Sequence, residues 1–282
     1  MRITKNKIIE YSSILSKRDK EVLHSIKICN FLKTNQISRL HFDDKTAPST
    51  VCRALTKLHK LGLIQPIKRR IGGVRAGSTS LVWSLNMAGA ELLQLGETTP
   101  LKSRKRVYEP SYIFLKHTLG VSELYTRLNT TTATNLMKTE FEPNCWRTYT
   151  SHFGVNVVLK PDLYVVTASD GYEDHWFFEV DMDTEAPSRI LRKCESYAKY
   201  YMTGGEQKQI GVFPQVVWIV PDYKRKITLK KHIAENMSEY TDLFVAITFD
   251  DLDTLLACGV LETPVTEYIS NKKNRREGLD YE

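Results

Sequence analysis

The chain has 282 residues, 41% hydrophobic and 26% charged, the proportions of a water-soluble globular protein with room for two domains, each with its own core. Its five cysteines (Cys29, Cys52, Cys145, Cys194, Cys258) are scattered and never in C-x-x-C spacing, which argues against a disulfide framework or a zinc cluster and for a reducing compartment. The net charge of +7 is unevenly spread: residues 1–110 hold 21 Lys/Arg against 8 Asp/Glu, and the rest hold 19 against 25. A basic first module before an acidic second one points to a polyanion held by the N-terminal part. No apolar stretch follows M-R-I-T-K-N-K, and Leu243 to Leu261 is broken by Asp250, Asp251 and Asp253. Neither a secretory signal nor a membrane span is expected, so the expected location is the cytoplasm, with no membrane partner.

In chain order, Ser16-x-x-Asp19 is a capping-box-like start, with Val22, Leu23, Ile26 and Cys29 at helical spacing behind it. A second short helix is predicted after Thr34, burying Ile37 and Leu40. A third runs from about Pro48 to Leu61 and stops at Gly62. Its buried stripe is Val51, Ala54, Leu55, Leu58 and Leu61; the opposite face carries Ser49, Arg53, Thr56, Lys57 and Lys60. Small, polar and basic residues on one helix face suit phosphates and base edges in a major groove. Two strands follow, Leu63–Gln65 and Ser80–Leu85, around a glycine-rich loop with Lys68, Arg69, Arg70 and Arg75.

Three helices and a basic hairpin resemble the winged helix-turn-helix fold, over about residues 16–95. The resemblance implies double-stranded DNA as partner, contacted by Ser49, Arg53, Thr56, Lys57, Lys60, Lys68, Arg69, Arg70 and Arg75. Winged helices also serve as protein–protein modules, for which a neutral third helix would be expected. The boundaries expected are 1–96 for this domain, 97–110 for a linker with Lys102, Arg104, Lys105 and Arg106, 111–268 for the second domain, and 269–282 for a flexible tail.

The second domain opens with an amphipathic helix over 111–128, with Ile113, Leu115, Leu119 and Leu124 among its apolar positions. Strand-like runs follow at Leu136–Phe141, Val155–Leu159, Leu163–Thr167, Trp176–Val180 and Val216–Val220, with a helix at 185–202 between the last two. That order is α+β or α/β. Alternation puts Phe177, Glu179 and Asp181 on one strand face and Trp176, Phe178 and Val180 on the other. Two carboxylates on one apolar strand demand compensation by water, a cation or a base. Asp162, after Pro161, stands at the mouth of the neighbouring strand. Convergence of Asp162, Glu179 and Asp181 would allow them to hold Mg²⁺ or Mn²⁺.

P-D followed by E-x-D in these elements resembles the PD-(D/E)xK nuclease superfamily, a restriction-endonuclease-like mixed-sheet fold. The resemblance implies metal binding by Asp162 and Glu179. Asp181 occupies the position where that family carries its lysine. Some members supply the lysine from the next helix, and there Lys193 flanks the core stripe of Ile190, Cys194, Tyr197, Ala198 and Tyr201, whereas Lys199 faces away. Lys193 either snorkels at the boundary or assists hydrolysis, making Asp162, Glu179, Asp181 and Lys193 the catalytic candidates. Glu123 is either a counterpart of an added acidic helix residue or a solvent-facing glutamate. The seven histidines show no metal-ligand spacing, and Walker A and G-x-S-x-G motifs are absent.

The whole pattern, with H-T-L-G-V-S-E-L-Y, P-D-L, F-F-E-V-D-M-D-T-E and K-C-E-S-Y-A-K-Y-Y, resembles the replication-relaxation family of bacterial plasmids and conjugative elements, over roughly residues 16–220. The resemblance implies DNA handling in replication, relaxation or transfer, with other plasmid replication or transfer proteins as partners; a homodimer is compatible with it. Three readings stay open: a DNA-binding protein with a non-cutting second domain, a Mg²⁺- or Mn²⁺-dependent endonuclease or nickase, and a transcriptional regulator.

Overall fold

Helical periodicity dominates the first part of the chain and strand alternation the second, and the contacts divide it between Thr130 and Thr131. The structure, a computed structural model, describes residues 4–68, 80–95 and 110–258, apart from 152, 170 and 184. Among these, no helix is long and apolar enough to cross a membrane.

The first unit begins with α1 (Lys5–Ile14) and α2 (Lys17–Cys29). α2 starts where Ser16 Oγ accepts the Asp19 N–H at 3.1 Å and Asp19 Oδ2 accepts the Ser16 N–H at 3.0 Å, two otherwise orphaned amides satisfied reciprocally. Val22, Leu23, Ile26 and Cys29 form its buried stripe. β1 (Leu32–Lys33) leads into α3 (Thr34–His41), which buries Ile37, with Leu40 half-buried. α4 (Pro48–Lys60) buries Val51, Leu55 and Leu58 and ends at Gly62, whose φ of 71° suits a residue without Cβ. β2 (Ile64–Pro66) and β3 (Val82–Leu85) pair antiparallel, and β1 adds to the other side of β3. Arg69, Arg70 and Arg75, between β2 and β3, lie outside the described residues, as do Lys102, Arg104, Lys105 and Arg106 and the tail.

α5 (Met87–Leu93) lies so close to the β2 entry that a Cβ on Gly89 would sit 2.3 Å from the Leu63 carbonyl oxygen. α6 (Tyr112–Thr130) packs within this unit: Leu115 and Leu119 join Phe31, Ile67 and Val82, and Ser122 Oγ donates to the Phe31 carbonyl at 2.7 Å. The sequence placed this helix at the head of the second module; its contacts group it with the first. Ile113, expected among its apolar positions, is exposed.

The second unit runs β4 (Asn135–Phe141), β5 (Arg147–Thr150), β6 (Asn156–Leu159), β7 (Leu163–Ser169), β8 (Tyr172–Val180), α7 (Pro187–Met202), α8 (Gly205–Ile210), β9 (Gln215–Val220), α9 (Tyr223–Asn236), β10 (Phe244–Thr248) and α10 (Leu252–Cys258). Five strands form a mixed sheet in the order β10-β9-β8-β7-β4. β4, β7 and β8 pair antiparallel, whereas β8, β9 and β10 run parallel and need crossovers, which α7 and α9 supply. Among the described residues, β5 and β6 pair with each other alone. Phe177, Trp218 and Phe244 from the sheet, Ile190, Cys194 and Tyr197 from α7, and Leu229 and Ile233 from α9 form one core. Both helices therefore cover the face to which Glu179 belongs. α7 buries Tyr200 rather than the expected Tyr201, because Tyr200 Oη donates to the buried Glu206 carboxylate at 2.9 Å.

Two outcomes follow from the first unit. Gly89→Ala is expected to destabilise it by roughly 3 kcal/mol, since backbone must move to admit a methyl group; urea unfolding reads this directly. Asp19 is buried, which raises its carboxyl pKa, but Lys57 at 2.7 Å and the Ser16 amide and hydroxyl outweigh burial and hold it below its ordinary range. A lowered carboxyl contributes stability above its unfolded value, about pH 4, and loses it as pH falls through the folded one. Asp19→Asn is therefore expected to cost about 2 kcal/mol at neutral pH. The difference from wild type should shrink in urea titrations repeated near pH 3.

Candidate functional site

Asp162 precedes β7, and its backbone N–H donates to the Phe178 carbonyl at 3.1 Å, which holds it beside the end of β8. Its Oδ2 accepts the Val180 N–H at 2.8 Å. Glu179, on β8 opposite Trp218 of β9, points to the face covered by α7 and is 1% exposed. There its Oε2 accepts a hydrogen bond from Lys193 Nζ, and its Oε1 accepts one from Tyr197 Oη at 2.5 Å. Lys193 Nζ also stands 3.9 Å from Asp162 Oδ1. One helical turn separates Lys193 from Tyr197, so α7 delivers both donors to one carboxylate. Lys199 is exposed.

Asp162, Glu179 and Lys193 are thus brought together, whereas Asp181 is not added to them. Its N–H donates to the Ile219 carbonyl at 2.9 Å, and its Oδ2 accepts from Arg225 Nε of α9 at 2.6 Å. Arg225 Nη1 reaches Asp183 at 3.2 Å and Nη2 donates to the Glu185 carbonyl at 2.8 Å. Among the described residues, no three His, Cys, Asp or Glu side chains are grouped to hold a metal ion. The residues do not fit a three-carboxylate centre, because Lys193 stands between two of the carboxylates and Arg225 engages the third. Glu123 belongs to the first unit, where Arg39 at 2.6 Å, Gln36 and Arg127 surround its carboxylate.

The charges follow from burial. Burial raises the Glu179 carboxyl above its ordinary range, with Lys193 pulling it back down and Asp162 adding to the rise. Burial lowers the Lys193 ammonium, but Glu179 and Asp162 outweigh it and hold its pKa above the ordinary value. Burial and the adjacent Glu179 push the Tyr197 phenol well above its usual range, so it stays a donor.

On α4, Ser49, Arg53, Thr56, Lys57 and Lys60 are exposed along one face, with exposed Lys68 beyond β2. Among the described residues, Arg53 bonds its own helix, at the Ser49 carbonyl at 3.4 Å and Thr50 Oγ1 at 3.1 Å. Lys57 is shared with Asp19 of α2. Sequence pattern alone does not mark Tyr197 and Arg225 as site residues. Tyr197 was legible as a core aromatic, one turn after Lys193; Arg225 carried no signal beyond the basic run K-R-K behind Asp222.

The replication-relaxation family model matches residues 23–216, a span that contains Asp162, Glu179, Asp181 and Lys193 and stops short of Arg225. No curated protein matches the chain. Among solved structures, restriction endonuclease FokI bound to DNA is similar over 96% of this chain at 13% identity, with a TM-score of 0.30. The chain spans about half the length of that one (48%).

Tyr197→Phe removes one donor from a buried carboxylate and is expected to destabilise the second unit by about 2 kcal/mol. Conservative Lys193→Arg should cost less than Lys193→Ala, which strands the charge and costs roughly 3–5 kcal/mol. Urea unfolding followed by tryptophan fluorescence would rank the three.

Proposed function

The chain belongs to the replication-relaxation family, and from that premise we propose that it is a double-stranded DNA-binding protein of a bacterial plasmid or mobile element, acting in replication, DNA relaxation or conjugative transfer. Its first unit is read as a winged helix that presents α4 to the major groove, and its second as a nuclease-like fold that does not cut. The observation that carries the reading is the exposed face of Ser49, Arg53, Thr56, Lys57 and Lys60 on a helix that buries Val51, Leu55 and Leu58 on its other side. Hydroxyls and cations at one-turn spacing match phosphate oxygens and base edges along a groove. The excess of basic residues over 1–110 supplies the long-range attraction that makes such binding strong and salt-dependent.

A second reading, metal-dependent cleavage, is favoured by one observation, the meeting of Lys193 with Glu179 and Asp162. Supercoiled plasmid incubated with Mn²⁺ separates the two. The binding reading expects it to stay closed, and nicking that Glu179→Ala abolishes would establish cleavage instead.

Gel-shift titration of the double variant Arg53→Ala/Lys60→Ala against duplex DNA tests the binding claim. Each lost phosphate contact should lower the slope of log affinity against log salt by about 1, with weaker binding to every sequence. Lys57 is left in place because its loss would also loosen Asp19. Affinity and salt slope equal to wild type in the double variant would remove α4 as the DNA-binding element.

A further inference from the structure

The proposal concerns the carboxylates of the second unit and goes beyond the DNA-binding reading, on which it does not depend. Three carboxylates, those of Asp162, Glu179 and Asp181, lie 8%, 1% and 1% exposed at the end of β8 and the mouth of β7. Buried anions at that density require cations. Among the described residues, two protein cations bond or face them. Lys193 of α7 bonds Glu179 and faces Asp162, and Arg225 of α9 bonds Asp181.

Two further oxygens are occupied by neutral donors. Tyr197 Oη donates to the second oxygen of Glu179, and the Val180 amide donates to Oδ2 of Asp162. Arg225 spends its other nitrogens on Asp183 and the Glu185 carbonyl, so one guanidinium spans the whole turn from β8 to α7. Its own backbone is fixed by Asp222, whose Oδ1 accepts the Arg225 N–H at 2.8 Å as the cap of α9. A divalent ion demands several oxygens with free lone pairs, and Mg²⁺ also keeps waters. Here both oxygens of Glu179 and Oδ2 of Asp162 and of Asp181 face N–H and O–H donors, and the Lys193 ammonium lies between Glu179 and Asp162.

We infer that Lys193 and Arg225 are the resident cations of this cluster, that they take the place a divalent metal would occupy, and that the wild-type cluster is therefore metal-independent. Lys193 and Arg225 are positioning residues in this arrangement. They tie β7, β8, α7 and α9 through charge, and Asp181 is the anchor for Arg225 rather than a third metal ligand.

Calorimetric titration of the full chain with Mn²⁺, paired with thermal melts, provides the test. Wild type is expected to give no saturable heat at the cluster and a melting temperature unchanged by EDTA or by about 1 mM Mn²⁺. Lys193→Met vacates the space between Glu179 and Asp162, and Mn²⁺ should then raise its melting temperature by roughly 2–4 °C. Lys193→Arg, which keeps a cation, should show no such rise. Arg225→Met is the second opening variant: it frees Asp181 and should gain Mn²⁺ stabilisation that Arg225→Met/Asp181→Asn loses. Saturable Mn²⁺ binding by wild type that Asp162→Asn abolishes would overturn the proposal. So would a failure of both opening variants to gain Mn²⁺ stabilisation. If Lys193→Met does not fold, wild type and the Arg225 variants still decide the matter. None of these readouts involves DNA, so their outcome stands apart from that of the gel-shift experiment.

Discussion

A carboxylate sealed into the apolar end of a strand must be met by donors or give up its charge, and Glu179 is the carboxylate around which the second unit is arranged. Meeting it takes two side chains one helical turn apart, so α7 must cross β8 with Lys193 and Tyr197 facing down. That crossing in turn sets the run of Ile190, Cys194 and Tyr197 over Phe177 and Trp218. The parallel pairing of β8 with β9 requires a crossover in any case, and the donors determine the phase of the helix that makes it.

The same economy of charge shapes the first unit. Asp19 is held by the capping of α2 and takes Lys57 from the otherwise outward face of α4. One of the basic residues on that face therefore also braces the fold, while Arg53 and Lys60 have no such second duty among the bonds described. Glu123 does for α6 and α3 what Asp19 does for α2 and α4, gathering Arg39, Arg127 and Gln36 onto one carboxylate. In both units a buried or half-buried acid is the hub and the cations come from other turns or other helices. Removing the acid would thus release surface cations as well as weaken a contact.

Much of this is legible in the sequence. Ser16 and Asp19 announced the start of α2 because capping is a matter of spacing within four residues. The stripe of α4 and its exposed face followed from helical period, and the strands β4, β6, β7, β8 and β9 from apolar runs. The helical phase of Lys193 pointed it toward the carboxylates, where it lies. β5 and β10 were not legible: R-T-Y-T alternates too briefly, and F-V-A-I-T sits in a stretch that reads equally as helix. α6 was legible as a helix, but not as part of the first unit, because its partners Phe31 and Gln36 are more than 80 residues away in the chain.

By itself the sequence determined the family, the longer helices and apolar strands, the basic face of α4 and the helical phase that turns Lys193 toward Glu179. These depend on short-range order: residue spacing along a helix or strand and the charge carried by a segment. Tertiary structure alone decided the fate of Asp181. Strand alternation puts it on the face of Glu179 and cannot say which helix will meet it there. Arg225 lies 44 residues further on, past one crossover and at the start of the next, and only the packing of α9 on the sheet places a guanidinium 2.6 Å from that carboxylate. The partner of a buried charge is chosen by proximity in space, and a linear pattern carries no record of it.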